Sequence, residues 1–237
     1  MMLLKIDQLH AHYGLSHIIQ GIHLEADSGE VIGIFGRNGV GKSTLLKTIA
    51  GWLAPTAGGI FLDGLPLNGY SPDKICHLGV GFVPEDRRIF PGLTVAENLS
   101  IALLQVRGRG AREERRVLDR VYGRMPRLAE RRQQLGATLS GGEQQMLAMA
   151  RVMLGEPKLV LIDEPTEGLA QMIVDEIFAM IRELRDRGAL VLLVEQNVHQ
   201  AITIADRFCM IERGRVILSG SGGLESDRAR LFDAIAI

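Results

Sequence analysis

Nine residues from Gly36 to Thr44 (GRNGVGKST) fit the spacing G-x-x-x-x-G-K-[ST], with an apolar run, Val31–Phe35, before them and a helical stretch, Lys42–Gly51, after them. Gly36, Gly39 and Gly41 let the backbone curl so that successive N–H groups, with Arg37, Asn38, Val40 and Thr44 in the same loop, face one anion. The helix opening near Gly41 adds the positive end of its dipole. Lys42 is then placed for the β- and γ-phosphates of a nucleoside triphosphate and Ser43 for Mg²⁺. The expected ligands are ATP and Mg²⁺.

A magnesium nucleotide needs a carboxylate near the metal, and the apolar strand Leu159–Ile162 runs directly into Asp163-Glu164. Two acids at the end of a buried strand are costly unless a metal or a reacting water uses them. Asp163 is expected to hold Mg²⁺, directly or through water, and Glu164 to orient and deprotonate the attacking water. A second anion reader is Ser140-Gly141-Gly142-Glu143, ahead of an apolar helix, Met146–Leu154. Ser140 and Glu143 have capping-box spacing. Capping does not require two glycines, which cost a helix about 1 kcal/mol each. They leave N–H groups bare for a phosphate. One triphosphate is already served by the first loop, so the second reader is expected to serve a nucleotide on another subunit.

These groups need elements to hold them. Short strand-like runs dominate the first third (Leu3–Leu9, Ile22–Ala26, Val31–Phe35, Ile60–Leu62, Val80–Val83), separated by turns such as Asp63-Gly64. From about Phe90 to Leu154 the pattern is helical and basic, opening on the capping-box spacing Thr94 to Glu97. The arginines between Arg107 and Arg132 alternate with Glu113, Glu114, Asp119 and Glu130, which reads as a solvated face with surface pairs. After Lys158, strands at Leu159–Ile162, Leu190–Val194, Phe208–Ile211 and Val216–Leu218 alternate with helices at Ile173–Arg187 and Val198–Ile204. That alternation implies a parallel sheet covered on both faces.

Composition narrows the class. A chain of 237 residues with 46% hydrophobic and 23% charged residues has the make-up of a globular protein with a sizeable core. Net charge of −1 and 5% aromatics provide neither a basic field nor a stacking platform for nucleic acid, which is not expected as a partner. Cys76 and Cys209 fit no metal spacing and read as small core residues in a reducing compartment. No apolar run approaches the ~18 residues of a membrane span, and the start lacks the features of a secretory signal. The chain is expected to be soluble when isolated and cytoplasmic.

The phosphate loop, the segment Leu139–Gln145 (LSGGEQQ) and the strand Leu159–Glu164, in this order and spacing, closely resemble the ATP-binding subunits of ABC transporters, over essentially the whole chain. The resemblance implies an α/β P-loop NTPase with a RecA-like core, an N-terminal antiparallel β subdomain and an α-helical signature subdomain. It implies one domain over residues 1–237, with 1–90 and 155–237 as core and β subdomain and about 91–154 as the helical part. In the family two such domains pair head to tail and enclose two ATP molecules between each loop and the opposite signature. Carried over, Tyr13 is the aromatic that stacks on adenine, and Gly168-Leu169-Ala170 lies where a loop crosses the dimer interface.

Two positions depart from the family pattern. Glu85 replaces the glutamine that touches Mg²⁺ and water, and its charge would alter the site. Gln196 stands where a histidine contacts the γ-phosphate; it can donate a hydrogen bond but cannot carry imidazolium charge. His199, three residues on, is expected to point elsewhere. The ATP on this chain's own loop is therefore expected to turn over more slowly than the one on its partner's loop. With these departures, the segments from Val83 to Leu99, Gly136 to Arg151, Ile162 to Ala170 and Val194 to Ala201 resemble the smaller ATPase of branched-chain amino-acid importers. That resemblance implies a second, non-identical ATPase in a head-to-tail heterodimer and two transmembrane permease subunits reached through Glu85–Glu97. It also implies a periplasmic binding protein engaged indirectly, and a place on the cytoplasmic face of the inner membrane. A urea or short-chain amide importer, a lipopolysaccharide or lipid exporter, and a soluble non-transport ABC ATPase are the alternatives.

Overall fold

The computed structural model describes residues 2–104 and 110–236. Arg107 and Arg109, the start of the basic stretch, lie outside the described residues.

Six strands form one sheet: β3 (Val31–Phe35), β6 (Val80–Val83), β7 (Leu159–Asp163), β8 (Leu190–Val194), β9 (Arg207–Glu212) and β10 (Arg215–Ser221), in the order β10-β9-β3-β8-β7-β6. All neighbours are parallel except β10, which folds back on β9. Every residue of β3, β7 and β8 is buried. Successive side chains enter two different cores: Val191 and Leu193 join one cluster, while Leu190, Leu192 and Val194 join the other. This is the period-2 geometry of a strand buried on both faces, and it explains the unbroken apolar runs.

The first core lies under α3 (Val95–Leu104), α4 (Ala111–Arg124), α5 (Pro126–Glu130), α6 (Gly141–Leu154), α7 (Gln171–Asp186) and α9 (Glu225–Ala236). The second lies between the sheet, helix α1 (Lys42–Ile49), helix α2 (Pro72–His77) and an antiparallel sheet. That sheet contains β1 (Met2–Tyr13), β2 (Ser16–Asp27), β4 (Ala57–Leu62) and β5 (Leu65–Pro66) in the order β2-β1-β4-β5. A short helix α8 (Val198–Ala201) follows β8. The expected fold, an α/β P-loop architecture with an antiparallel β layer and a helical signature layer, is the one observed.

Several boundaries move, each for a local reason. β1 continues four residues past the expected Leu9 because register shifts around Asp7 to His10, with Gln8 at φ +44°, change the phase of the side-chain alternation. The short α2 and β5 were not expected. The helix expected over Val198–Ile204 keeps helical form only to Ala201. Thr94 and Glu97 do form the capping box of α3, with Thr94 N–H donating to Glu97 Oε2 at 2.8 Å and Glu97 N–H to Thr94 Oγ1 at 3.2 Å. Over its described residues the basic stretch is a solvated face as expected, and in α4 only Val117 and Val121 are buried. Its ion pairs reach other elements, however: Arg120 to Glu156 and Arg124 to Glu183, both at 3.4 Å. Cys209 is buried, whereas Cys76 is only partly so, which corrects its reading as a core residue.

Candidate functional site

Because β3, β6, β7 and β8 are parallel, their carboxyl ends share one edge of the sheet, and each end carries a candidate residue. β3 leads into the phosphate loop, β7 ends on Asp163, β8 is followed by Glu195 and Gln196, and β6 by Glu85. Asp163 and Ile34 both lie level with Val194 in the register. Ligands in open α/β sheets bind at this edge.

The loop's glycines are needed for space and backbone angle. Gly36 has φ +144°, and a Cβ there would stand 2.3 Å from the Ile211 carbonyl oxygen; Gly41 has φ +111° and is the N-cap of α1. Gly41 also packs against Ile18 and Ile19, so β2 lies against the loop; Tyr13, paired with Ser16 at the turn of the same hairpin, is half-exposed. The Lys42 ammonium is buried and donates to the carbonyls of Gly36 at 2.9 Å and Arg37 at 3.1 Å. It lies 3.7 Å from Glu164 Oε1.

Ser43 Oγ donates to Asp163 Oδ1 at 3.0 Å, joining two segments 120 residues apart. Burial pushes the Asp163 carboxyl up to about 6, with Glu164 adding to the rise and the Ser43 hydrogen bond opposing it. Glu164 adopts φ +47°, a left-handed conformation held by its N–H bond to the Val194 carbonyl at 2.9 Å. Such a backbone costs a non-glycine residue about 1–3 kcal/mol and persists where the surroundings impose it. Gln196 Nε2 donates to Glu164 Oε2 at 2.5 Å, so the amide rests on the carboxylate expected to act as base. Glu85, Glu164 and the unexpected Glu167 bring carboxylate oxygens within 4.8 Å of one another. The donor set is hydroxyl and carboxylate oxygen, the kind Mg²⁺ takes, alongside a lysine for phosphate.

At the second reader, Ser140 is the N-cap of α6 and the capping box is complete. Ser140 N–H donates to Glu143 Oε2 at 2.9 Å and Glu143 N–H to Ser140 Oγ at 3.3 Å. The other Glu143 oxygen pairs with Arg131 Nε at 2.7 Å. Burial raises the Glu143 carboxyl, but the Ser140 donors and the arginines outweigh it and the net shift is downward. Both oxygens of Glu143 are thus engaged within this chain, one by the helix start and one by Arg131. The glycine pair has local tenants as well: a Cβ on Gly141 would meet the Arg87 guanidinium at 3.3 Å, and one on Gly142 would meet Ile173 at 3.1 Å. Arg87 Nη1 donates to Gln144 Oε1 at 3.3 Å, so the segment after β6 touches the signature helix directly.

Glu195 is an acid at the same sheet edge that was not expected there. It is 2% exposed and accepts from Thr166 N–H at 3.1 Å and Thr166 Oγ1 at 2.8 Å, tying the end of β8 to the turn after Glu164. Burial raises its carboxyl, against the Thr166 donors. The signal was available, since an acid directly after a buried apolar strand is what singled out Asp163. His199 stacks on Phe232 of α9 with centroids 4.4 Å apart, and so points elsewhere, as expected.

Residues 19–167, a span holding the loop, the signature and Asp163-Glu164, match the ABC transporter family. The chain belongs to the ABC transporter family. This ABC ATPase is 39% identical over 233 residues to the high-affinity branched-chain amino acid transport ATP-binding protein BraG of Pseudomonas aeruginosa, covering 98% of each chain. It is 35% identical over 220 residues to the probable branched-chain amino acid transport ATP-binding protein LivF of Archaeoglobus fulgidus, covering 92% of each. A solved ATP-binding subunit of an ABC transporter superposes with a TM-score of 0.86 at 28% identity, covering 99% of this chain and 95% of that one. The ABC ATPase binds ATP with Mg²⁺ and hydrolyses it. When bound, Mg²⁺ supplies positive charge at the transferring phosphoryl group. No described helix is long and apolar enough to cross a membrane.

Proposed function

We propose that this ABC ATPase energises an importer of branched-chain, hydrophobic amino acids from the cytoplasmic face of the membrane. The observation that carries the proposal is the end-to-end similarity to BraG at 39% identity. Lys42 grips the β- and γ-phosphates, Ser43 and Asp163 hold Mg²⁺ with Glu85 beside them, and Glu164 takes the proton of the attacking water. The Lys42–Glu164 distance of 3.7 Å and the Ser43–Asp163 bond support these roles. Tyr13 stacks on adenine, and Gln196 takes the γ-phosphate contact. The Ser140–Glu143 segment serves the ATP of a second, non-identical ATPase paired head to tail. Residues 91–154 act as the helical subdomain against a core of 1–90 and 155–237.

Permease subunits dock through Glu85–Glu97. A groove of about 900 Å³ lined by Trp52, Phe82, Arg87, Arg88 and Arg151 opens beside that segment and supports the docking. Arg87 and Arg88 are both in left-handed backbone, at φ +60° and +45°. The Arg88 guanidinium lies over the Trp52 ring at 4.2 Å, so charge and apolar surface are presented together. A periplasmic binding protein delivers the substrate without touching this chain.

Deleting the gene in its own host and measuring uptake of labelled leucine, isoleucine, urea and acetamide tests the substrate class. Loss of leucine and isoleucine uptake, restored by the wild-type gene and not by Glu164→Gln, is the expected outcome. Intact leucine uptake with loss of urea or acetamide uptake would assign the amide importer instead.

A further inference from the structure

The β1–β2 hairpin carries four imidazoles, and three of them, His10, His12 and His17, come together near its turn. His12 and His17 are direct register partners, and His10 lies two residues earlier on β1. His10 Nδ1 is 3.0 Å from His17 Nε2. The rings of His12 and His17 stack with centroids 4.1 Å apart and planes 9° from parallel. His12 Nδ1 is held 2.9 Å from Thr56 Oγ1. His17 is exposed and the other two are partly exposed, so the group is open to solvent ions.

We propose that His10 and His17 form a two-histidine site for a borderline divalent transition ion of the Zn²⁺ class, with His12 as the positioning residue stacked on His17. Neutral imidazole is a preferred nitrogen ligand for such ions. Tetrahedral bonds of 2.0–2.1 Å would separate two ligand nitrogens by roughly 3.3 Å. The pair now stands at 3.0 Å, and small side-chain rotations open it to that bite. As a hydrogen bond, one ring donates and the other accepts. Ligation requires only that the donor ring carry its proton on its other nitrogen, a tautomer change with no net proton lost. His12 spends Nδ1 on Thr56 and one ring face on His17, which fixes the orientation of His17 as an outer-shell partner fixes a ligand. Water fills the remaining positions, which makes the ion exchangeable.

The ion would bridge β1 and β2 beside the Tyr13–Ser16 pair that closes the hairpin. Mg²⁺ takes oxygen ligands and holds its water tightly, so the magnesium that serves the nucleotide does not compete.

Calorimetric titration of the full chain with ZnCl₂, in millimolar Mg²⁺ without nucleotide, tests the site. One equivalent is expected per chain, weakened roughly tenfold or more in His10→Gln and in His17→Gln. His12→Ala is expected to weaken binding and His12→Phe, which keeps the stack, to restore it; His23→Gln serves as the unaffected control. Circular dichroism melts without zinc establish that each variant folds. Wild-type zinc affinity in both His10→Gln and His17→Gln would mean a hydrogen-bonded imidazole pair only and overturn the site. Wild-type affinity in His12→Ala would overturn the positioning role.

Discussion

Gln196 donates one hydrogen bond to Glu164, the carboxylate proposed to act as base. An amide resting on Glu164 Oε2 occupies a lone pair that a water proton would otherwise use, and it brings no positive charge to a γ-phosphate. Gln196→His is expected to raise kcat at this chain's own site by about tenfold, or about 1.4 kcal/mol of barrier. Site-resolved hydrolysis in the assembled pair is the measurement, and an unchanged rate would refute the role given to Gln196. Asp163 yields a prediction in pH. Its folded value, raised by burial from 3.8 to about 6, means that between these limits the folded chain keeps a proton the unfolded chain has lost. Stability from this group is therefore greatest below the unfolded value and falls as pH rises through 6, by an amount on the order of 2–3 kcal/mol. In chelator-treated protein, Asp163→Asn should melt higher than wild type at pH 7.5 and converge with it near pH 4. A variant with the same melting temperature as wild type at pH 7.5 would show that burial of this charge is not costly.

At the scale of elements, α6 begins on a complete capping box, and β8 is buried on both faces. Ser140→Ala removes the acceptor for Glu143 N–H and should cost about 0.5–2 kcal/mol. Chemical denaturation reads that loss directly, separately from any effect on a partner's ATP. Leu192→Ala opens a cavity at the centre of the sheet and should cost about 2–5 kcal/mol. A smaller loss would mean that the flanking strands collapse into the space. The strands of the parallel sheet were legible because each is an unbroken apolar run of strand length. The hairpin was harder to read, since bulges between Asp7 and His10 change which side chains face the core. The glycines of the signature were legible as helix-start residues. That Arg87 and Ile173 crowd them was not, because those contacts come from the segment after β6 and from α7.

For the whole molecule, the proposed pairing makes ATP turnover depend on a signature supplied from outside this chain. The isolated protein is then expected to hydrolyse ATP slowly, and addition of a non-identical ATPase from the same transporter to raise the rate at least about tenfold. Sedimentation of the Glu164→Gln variant with ATP should show a mixed dimer with that partner; a self-dimer of the variant that persists when the partner is added, or full ATP turnover by the wild-type chain alone, would count against it. The sequence by itself determined the phosphate loop, the acidic strand end and the capped signature, because each is a contiguous run whose chemistry needs no distant residue. Only the tertiary structure decided the pairings between segments. Ser43 with Asp163, Glu85 with Glu164 and Glu167, Gln196 with Glu164, and Thr166 with Glu195 meet because parallel strands deliver their ends to one edge. His10 and His17 meet because antiparallel strands fold back on each other. Such contacts depend on strand order and register, which are set by burial of the whole sheet and not by the residues that touch.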